Sequence, residues 1–244
     1  MTIFEENKKP KLHFERFEFK YIMNEMTANL VLQSMFQTNL KWDSYIENSP
    51  DHSYTVTSLY YDNPTLKCYR EKIDGLGKRF KLRQRIYSER LNGSEQIFYE
   101  IKNKKDAVII KDRQVGSPGN DFEFRRLRYS LEPNLLVSYK RKALQGKFQD
   151  RLRVTFDSDL RAIPANNLKD FDEPIQIIPG LVIVEVKYNG TLPGWFRKII
   201  TKHELDRRPF SKYCAGIEAC PSLLIRGGLY RYIDTRKFPI LQFS

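Results

Sequence analysis

Residues 182–188 read Val-Ile-Val-Glu-Val-Lys-Tyr, a stretch in which apolar and ionic side chains alternate. Successive side chains of a β-strand point to opposite faces of the sheet. Val182, Val184 and Val186 therefore fall on one face of this segment, and Glu185 and Lys187 fall on the other. The stretch predicts a strand with one apolar face and one ionic face.

The same alternation recurs in four further segments, each with an ionic face rich in Lys and Arg. A single strand of this kind usually turns its ionic face to water. Several together are harder to explain, because like charges on neighbouring strands oppose one another by roughly 0.2–1 kcal/mol per facing pair. We therefore expect these faces to line an electropositive channel that binds a polyanion. Their residues are Arg16, Glu18 and Lys20; Arg79, Lys81, Arg83 and Arg85; Glu100, Lys102 and Lys104; Arg151, Arg153, Thr155 and Asp157.

The overall pattern favours an α+β fold that is mainly antiparallel β. The chain has 244 residues, 41% of them hydrophobic and 13% aromatic, which excludes disorder and allows a sizeable core. Helical spacing predicts helices at 24–40 and 193–205 and a short third helix after Pro209, with Ser211 as its N-cap and Pro221 where it would stop. Few helices and many strands indicate a barrel or sandwich with flanking helices. Strands are predicted at 14–21, 54–61, 78–87, 97–104, 135–142, 151–157 and 181–188, with an eighth at 107–112.

Charge and cysteine content narrow the classes of function. There are 42 Lys and Arg against 30 Asp and Glu, a net charge of +12 that favours nucleic acid, anionic lipid or phosphates as partners. No stretch approaches the ~20 apolar residues that span a bilayer, so no transmembrane segment and a cytoplasmic location are expected. Cys68, Cys214 and Cys220 have no metal-site spacing and are odd in number, so buried thiols are expected.

Three glutamates share the ionic faces with the cations, namely Glu18, Glu100 and Glu185. Carboxylate oxygens suit Mg²⁺ or Mn²⁺ that is shared with substrate phosphates, rather than zinc. The sequence therefore predicts a site for a metal-bound triphosphate.

Six short motifs carry a family resemblance, and they occur in the order seen in VTC domains. Together they cover roughly residues 14–216, and the chain resembles a VTC-type polyphosphate polymerase, a branch of the triphosphate tunnel metalloenzymes. The motifs are Arg16-x-Glu18-x-Lys20-Tyr21, Ser58-Leu59-Tyr60-Tyr61-Asp62, Lys81-Leu82-Arg83-Gln84-Arg85-Ile86-Tyr87, Glu100-Ile101-Lys102, Glu185-Val186-Lys187-Tyr188 and Ser211-Lys212-Tyr213-Cys214-x-Gly216.

The resemblance implies an eight-stranded closed β-barrel with helices outside it, in a VTC-like domain at 11–220 with a C-terminal extension at 221–244 packed on it. It implies transfer of the γ-phosphate of ATP to a polyphosphate chain, with Mn²⁺ or Mg²⁺ as cofactor. Arg16 replaces a glutamate of the related CYTH branch, which favours the polymerase-like branch. By the resemblance, phosphates are bound by Lys20, Arg83, Arg85, Lys102, Lys111, Arg141, Arg153, Lys187 and Lys212, the metal by Glu185, and the substrate phosphate is contacted by Tyr139. Lys81, on the same ionic face as Arg83 and Arg85, is also expected to bind phosphate.

In the mechanistic hypothesis, the transferring phosphoryl group is clamped by Arg83, Arg85 and Arg153. A terminal phosphate of the acceptor chain attacks this group in line and needs no general base. A hydrolase of triphosphate or polyphosphate is the first alternative. A non-catalytic module for RNA or polyphosphate is the second, although most aromatic residues fall on the apolar faces, so no specific nucleic acid is expected. Coupling to translocation would need a separate membrane partner.

Overall fold

The computed structural model describes residues 16–106, 108–146 and 152–229, which hold ten strands and six helices. Parts of the predicted strands (14, 15, 107 and 151) and residues 230–244 of the predicted extension lie outside the described residues. The strands are β1 (Arg16–Asn24), β2 (Leu40–Trp42), β3 (Tyr54–Asp62), β4 (Lys78–Ile86), β5 (Phe98–Lys105), β6 (Val108–Val115), β7 (Glu132–Gly146), β8 (Leu152–Pro164), β9 (Ile175–Gln176) and β10 (Leu181–Asn189). The helices are α1 (Glu25–Phe36), α2 (Lys67–Ile73), α3 (Asn120–Arg128), α4 (Gly194–Lys202), α5 (Lys212–Ala219) and α6 (Pro221–Arg226).

All strands belong to one antiparallel sheet in the order β1-β10-β8-β7-β3-β4-β5-β6, with β2 beside β7 and β9 beside β8. The predicted mainly antiparallel α+β fold is confirmed. The predicted closed barrel is not confirmed, because β1 and β6 are the two edges of the sheet and no backbone pairing joins them within the described residues. Strand β6 is exposed along its whole length.

Helices α1 and α4 cover the apolar face of β1, β8 and β10. Val184 and Val186 are fully buried there, in one cluster with Val31 and Met35 of α1 and Phe196 of α4. Burying each such side chain contributes about 1.5–3 kcal/mol. The division of residues 182–188 into an apolar and an ionic face is therefore confirmed. The ionic face lies on the side of the sheet opposite α1 and α4.

Helix α5 lies against the opposite, inner face of the sheet. Its Gly216 approaches β7 so closely that an added Cβ would lie 2.7 Å from a methyl carbon of Leu135 and 3.3 Å from one of Val137. A larger residue would push the helix away from the sheet. Ser211 accepts a hydrogen bond from the Cys214 backbone N–H, so the predicted N-cap is confirmed. Helix α5 thus fills one end of the inner face and leaves the ionic end open.

Several helix boundaries differ from those predicted. Helix α5 ends at Ala219, just before Pro221 as predicted, and Pro221 begins the separate helix α6, a good first position for proline. Helix α2 was not predicted, because its backbone N–H groups are capped from outside the segment: the Asp62 carboxylate accepts from Cys68 and Tyr69. Helix α6 packs on α5 in the same core.

The three cysteines are buried and free, as the sequence predicts. None of the helices in the described part of the chain combines the length and apolar character needed to cross a membrane.

Candidate functional site

The ionic end of the inner face encloses a cavity of about 630 Å³. Its walls come from β1, β3, β4, β5, β6, β7 and β10, from α2, and from the loop that leads into α5. Among its described lining residues, fourteen are Lys or Arg and two are Glu. The cations are Lys20, Lys72, Arg79, Lys81, Arg83, Arg85, Lys102, Lys104, Lys111, Arg141, Lys187, Arg207, Arg208 and Lys212, and the acids are Glu18 and Glu185.

Glu100 holds the arginines of β4 in place. Its carboxylate accepts from Arg83 Nε and from Arg113 Nε at 2.7 Å, and it lies 3.8 Å from Arg85 Nη1. Burial raises the pKa of Glu100, but the three guanidinium groups outweigh burial and hold the pKa well below its usual range. Glu100 is a permanently charged anchor behind the cavity wall rather than part of its lining.

Tyr60 places a phenol among these arginines. Its hydroxyl accepts from Arg83 Nη1 at 3.2 Å, and the residue lines the cavity. Burial raises the pKa of Tyr60, but Arg83 and Arg85 lower it to about 8. The sequence predicted the strand that carries Tyr60 but no site role for it, because a tyrosine within a β-strand is usually a core residue.

An ionic group extends across β1 and β10 and consists of Lys20, Glu18, Glu185 and Lys187. Lys20 Nζ lies 3.2 Å from Glu18 Oε1 and 3.8 Å from Glu185 Oε2, and Lys187 pairs with Glu185. Burial and the neighbouring Glu185 raise the pKa of Glu18, but lysines including Lys102 lower it to about 2. Burial likewise raises the pKa of Glu185, and Lys187 and Lys20 hold it well below its usual value. Both carboxylates are therefore ionised at neutral pH.

These two carboxylates fit a hard divalent cation only in part. Within the described residues no group of three or more His, Cys, Asp or Glu side chains converges on one point. Mg²⁺ is commonly held by one or two carboxylates together with substrate phosphates. Glu18 and Glu185 match that arrangement, whereas Glu100 is engaged by arginines and does not join them.

Asp157 organises the far wall of the cavity. It is fully buried and accepts from Arg141 and from Lys212 Nζ, the latter at 2.6 Å. The ring of Tyr139 lies beneath both cations, 5.1 Å from the Arg141 guanidinium carbon and 4.6 Å from Lys212 Nζ. Burial raises the pKa of Asp157, and Arg141 followed by Lys212 lowers it below the usual value.

Lys102 and Lys111 approach Glu18 across the open edges of the sheet, with Nζ–Oε distances of 3.9 and 4.0 Å. Burial lowers the pKa of Lys102 to about 8, although Glu18 opposes this. Lys111 keeps 45% of its side chain exposed, but loss of water on the side that faces the cavity, with repulsion from Lys187 and Lys102, lowers its pKa to about 7. These two lysines are poorly neutralised by the protein and would gain from a bound anion.

Lys81 is aligned by the segment that begins α5. Its Nζ donates to Ser211 Oγ at 3.1 Å and lies 4.5 Å from the centre of the Tyr213 ring. The Tyr213 hydroxyl in turn donates to Asp62, the carboxylate that caps α2. A buried chain of contacts thus connects the end of β3 to the cavity cations.

The structure brings together twelve of the fourteen site residues that the sequence predicts. Glu100 lies behind the cavity wall, as described above. Arg153 does not line the cavity, and its guanidinium pairs with Asp43 at 3.0 Å. The twelve are Glu18, Lys20, Lys81, Arg83, Arg85, Lys102, Lys111, Tyr139, Arg141, Glu185, Lys187 and Lys212.

The family model of the VTC domain matches residues 15–118 and 111–220 of this chain. The chain belongs to the VTC domain family. All the strands and the α5 segment that line the cavity of this VTC domain fall within the matched residues.

Two curated relatives of this VTC domain protein have the name vacuolar transporter chaperone complex subunit 4. They come from Trypanosoma brucei brucei and Trypanosoma cruzi, and each is 22% identical over 66% of this chain. The chain spans 28% of the length of each relative. Among solved structures, the PH1819 protein from Pyrococcus horikoshii OT3 is similar, with 13% identity and a TM-score of 0.47, covering 82% of this chain and 96% of that one.

Five further described cations of the VTC domain line the cavity. Arg79 and Lys104 belong to the ionic faces of β4 and β5 that the sequence predicts to line the channel, although no individual role was assigned to them. Lys72 lies on a helix and Arg207 and Arg208 on a loop, where period-two alternation gives no signal.

Proposed function

We propose that this VTC domain is a polyphosphate polymerase that transfers the γ-phosphate of ATP to a growing polyphosphate chain and releases ADP. The single observation that carries the proposal is the cavity, in which fourteen cations from many separate elements surround two carboxylates. Such an excess of positive charge in a partly enclosed space is unfavourable unless a polyanion neutralises it.

Arg83 and Arg85 are the proposed clamp on the transferring phosphoryl group. Arg85 is buried and Arg83 is half-buried, and both contact the Glu100 anchor and project into the cavity from alternate positions of β4. A planar guanidinium that is held in one orientation recognises phosphate oxygens through paired hydrogen bonds. Arg153 is left out of the clamp, because it pairs with Asp43 outside the cavity.

Lys212 and Arg141 are proposed to hold the phosphates next to the transferring group. Both cations are fixed by Asp157 above the ring of Tyr139. Phosphoryl transfer requires mainly alignment of the reacting groups and neutralisation of their charge. A terminal phosphate of the acceptor chain is already deprotonated at neutral pH, so no general base is assigned.

Glu18 and Glu185 are the residues that would hold Mn²⁺ or Mg²⁺. The ion, when bound, would neutralise charge on adjacent phosphate oxygens. Lys20 and Lys187 hold the two carboxylates side by side and keep them ionised before substrate binds.

The test is incubation with ATP and Mn²⁺, followed by a gel stained for long polyphosphate and a parallel assay for free phosphate. Polymer together with ADP is the expected result. Free phosphate without polymer would assign the cavity to a hydrolase, and tight ATP binding with no turnover would assign it to a binding module. An Arg83→Gln protein in the same assays shows whether any turnover comes from this cavity.

The name of the two trypanosome relatives places them in a transporter chaperone complex. We therefore propose that a separate membrane partner receives the polymer made by this chain. Co-purification of a membrane protein with the tagged chain, lost when the partner is deleted, is the corresponding measurement.

A further inference from the structure

Two neighbouring segments at one end of the sheet expose several large apolar side chains. One segment runs from the end of α2 to β4 and carries Ile73 and Leu76, and the other begins β6 with Val108, Ile109 and Ile110. These five residues are 41–57% exposed, and they belong to the fifteen large apolar residues that lie exposed in the described part of the chain. Exposed apolar residues that are concentrated in one place mark an interaction surface.

Backbone contacts bring the two segments together. The Asp106 backbone N–H donates to the Gly77 carbonyl oxygen at 3.0 Å, and Lys78 pairs with Lys105 where β4 meets β5. Lys105 is in turn paired with Val108 across the β5–β6 turn. The exposed apolar residues therefore surround one end of β4, β5 and β6. We call this region the end surface, and it comprises residues 72–79, 104–106 and 108–111.

The end surface is also positively charged, with six Lys or Arg residues against two Asp. Its strand register places like charges directly opposite each other in two successive pairs, Lys78 with Lys105 and Arg79 with Lys104. Such pairs destabilise a sheet unless an anion neutralises them. Arg79 and Lys104 line the cavity, whereas Lys78 and Lys105 are exposed and fall on the other face of the sheet. The positive charge therefore surrounds the strand ends and is not confined to the cavity.

We propose that the end surface docks this protein on an anionic lipid bilayer. Proteins that bind at the membrane surface combine apolar side chains, which enter the boundary between headgroups and acyl chains, with cations that attract anionic headgroups. Leu76 and Val108 provide the apolar contact, and Lys78 and Lys105 lie beside them. A free phosphate would use only the cations, so the apolar residues assign the surface to a lipid.

A second copy of this chain fits the end surface less well. Two such surfaces in contact would bring like charges together, on chains that each have a net charge of +12. An anionic membrane supplies the opposite charge. Leu76, Lys78, Lys105 and Val108 do not line the cavity, so the inference goes beyond the proposed polymerase function and can be tested without it.

The experiment measures sedimentation of the full chain with two kinds of vesicle. One is phosphatidylcholine alone, and the other contains about a quarter of phosphatidylglycerol, which supplies the negative charge. The apolar variant is Leu76→Asp/Val108→Asp. Its matched control is Met26→Asp/Leu30→Asp, which places the same two charges at exposed apolar positions of α1.

The charge variant is Lys78→Gln/Lys105→Gln. Its matched control is Lys140→Gln/Lys169→Gln, which removes two exposed lysines elsewhere on the chain. Thermal unfolding and triphosphate binding of every variant show that the fold and the cavity are intact. If a double variant unfolds, an environment-sensitive fluorophore on Leu76→Cys replaces it, because the three native cysteines are buried. Its emission should shift to the blue with anionic vesicles.

Wild-type protein should bind the anionic vesicles at least about tenfold more tightly than the neutral ones, and salt should weaken this binding. The apolar variant and the charge variant should each bind anionic vesicles at least about tenfold more weakly than wild type, and both controls should stay within about threefold of it. Equal binding to the two kinds of vesicle would overturn the inference, as would variants that bind as tightly as their controls.

Self-association of the chain is measured in parallel by analytical ultracentrifugation. Wild-type protein should remain monomeric at the concentrations at which it binds vesicles. A dimer that Leu76→Asp/Val108→Asp dissociates, together with no binding to anionic vesicles, would assign the end surface to a second copy and overturn the membrane assignment.

Discussion

Arg141 and Asp157 form a bidentate ion pair between β7 and β8, with Nε–Oδ1 and Nη2–Oδ2 distances of 2.6 and 2.7 Å. Asp157 is fully buried, and its second oxygen also accepts from Lys212 at the start of α5. One carboxylate therefore orients two cavity cations that come from different elements. Its loss would leave both cations unpaired in a poorly hydrated space.

An Asp157→Asn substitution is accordingly expected to destabilise the protein by roughly 3–5 kcal/mol, the range for breaking one side of a buried pair. Urea unfolding measures this free energy. Asp159→Asn is the matched control, because Asp159 forms a less buried pair with Arg161 on the same strand and should change stability by no more than about 1 kcal/mol. Added triphosphate should recover part of the Asp157→Asn deficit by neutralising the freed cations. Similar small effects of both substitutions would contradict the anchoring role of Asp157.

Arg83 and Arg113 share the Glu100 carboxylate, but only Arg83 lines the cavity. Arg83→Gln should lower turnover of ATP by on the order of 100-fold or more, the usual effect of removing one donor to a transition-state oxygen. Arg113→Gln removes a partner of Glu100 that lies outside the cavity and should lower turnover less than about tenfold. Steady-state kinetics with both variants provide the measurement. Equal losses would mean that Glu100, rather than the clamp, determines the rate.

Removal of divalent metal by a chelator is expected to abolish turnover. Glu185→Gln should raise the Mn²⁺ concentration needed for half-maximal activity by on the order of tenfold or more, because the amide has lost the charge that attracts the cation. Glu100→Gln should leave that concentration nearly unchanged, since arginines already surround Glu100. A metal titration of activity distinguishes the two. An unchanged metal requirement in Glu185→Gln would exclude this residue as a ligand.

The unliganded protein should become more stable as pH rises from about 7 to about 9. The folded-state pKa values of Lys102 and Lys111 are about 8 and about 7, below the ordinary lysine value of 10.5. In this window the unfolded chain binds more protons than the folded one, so the free energy of unfolding increases with pH. Lys111→Met should flatten the increase, and the exposed control Lys140→Met should not. Thermal unfolding measured across this pH range tests the prediction. If the stability of Lys111→Met rises with pH as steeply as that of the wild type, the effect does not come from Lys111.

The sequence predicted the parts of this molecule that depend on local alternation. The apolar and ionic faces of 182–188 and the cap at Ser211 were confirmed, because each follows from neighbouring residues. Arg153 shows the limit of such reasoning. It alternates correctly on β8, but Asp43, more than 100 positions away in the sequence, engages its guanidinium.

The role of Asp157 in orienting two cavity cations could not be predicted from the sequence, for a related reason. It stands on the predicted ionic face, yet its partners Arg141 and Lys212 come from β7 and α5, and their meeting depends on how closely α5 approaches the sheet. The open edges of the sheet could not be predicted from the sequence either. Whether the first and last strands pair depends on the curvature of the whole sheet, which the alternation of residues within one strand does not encode.

Within the described residues, β1 is connected to β5 and β6 by the side-chain contacts of Glu18 with Lys102 and Lys111, and not by backbone hydrogen bonds. Separating such contacts costs far less than breaking a β-ladder. Under the proposed function, the open edge would let a long polymer enter or leave sideways, without being threaded end first through a rigid ring.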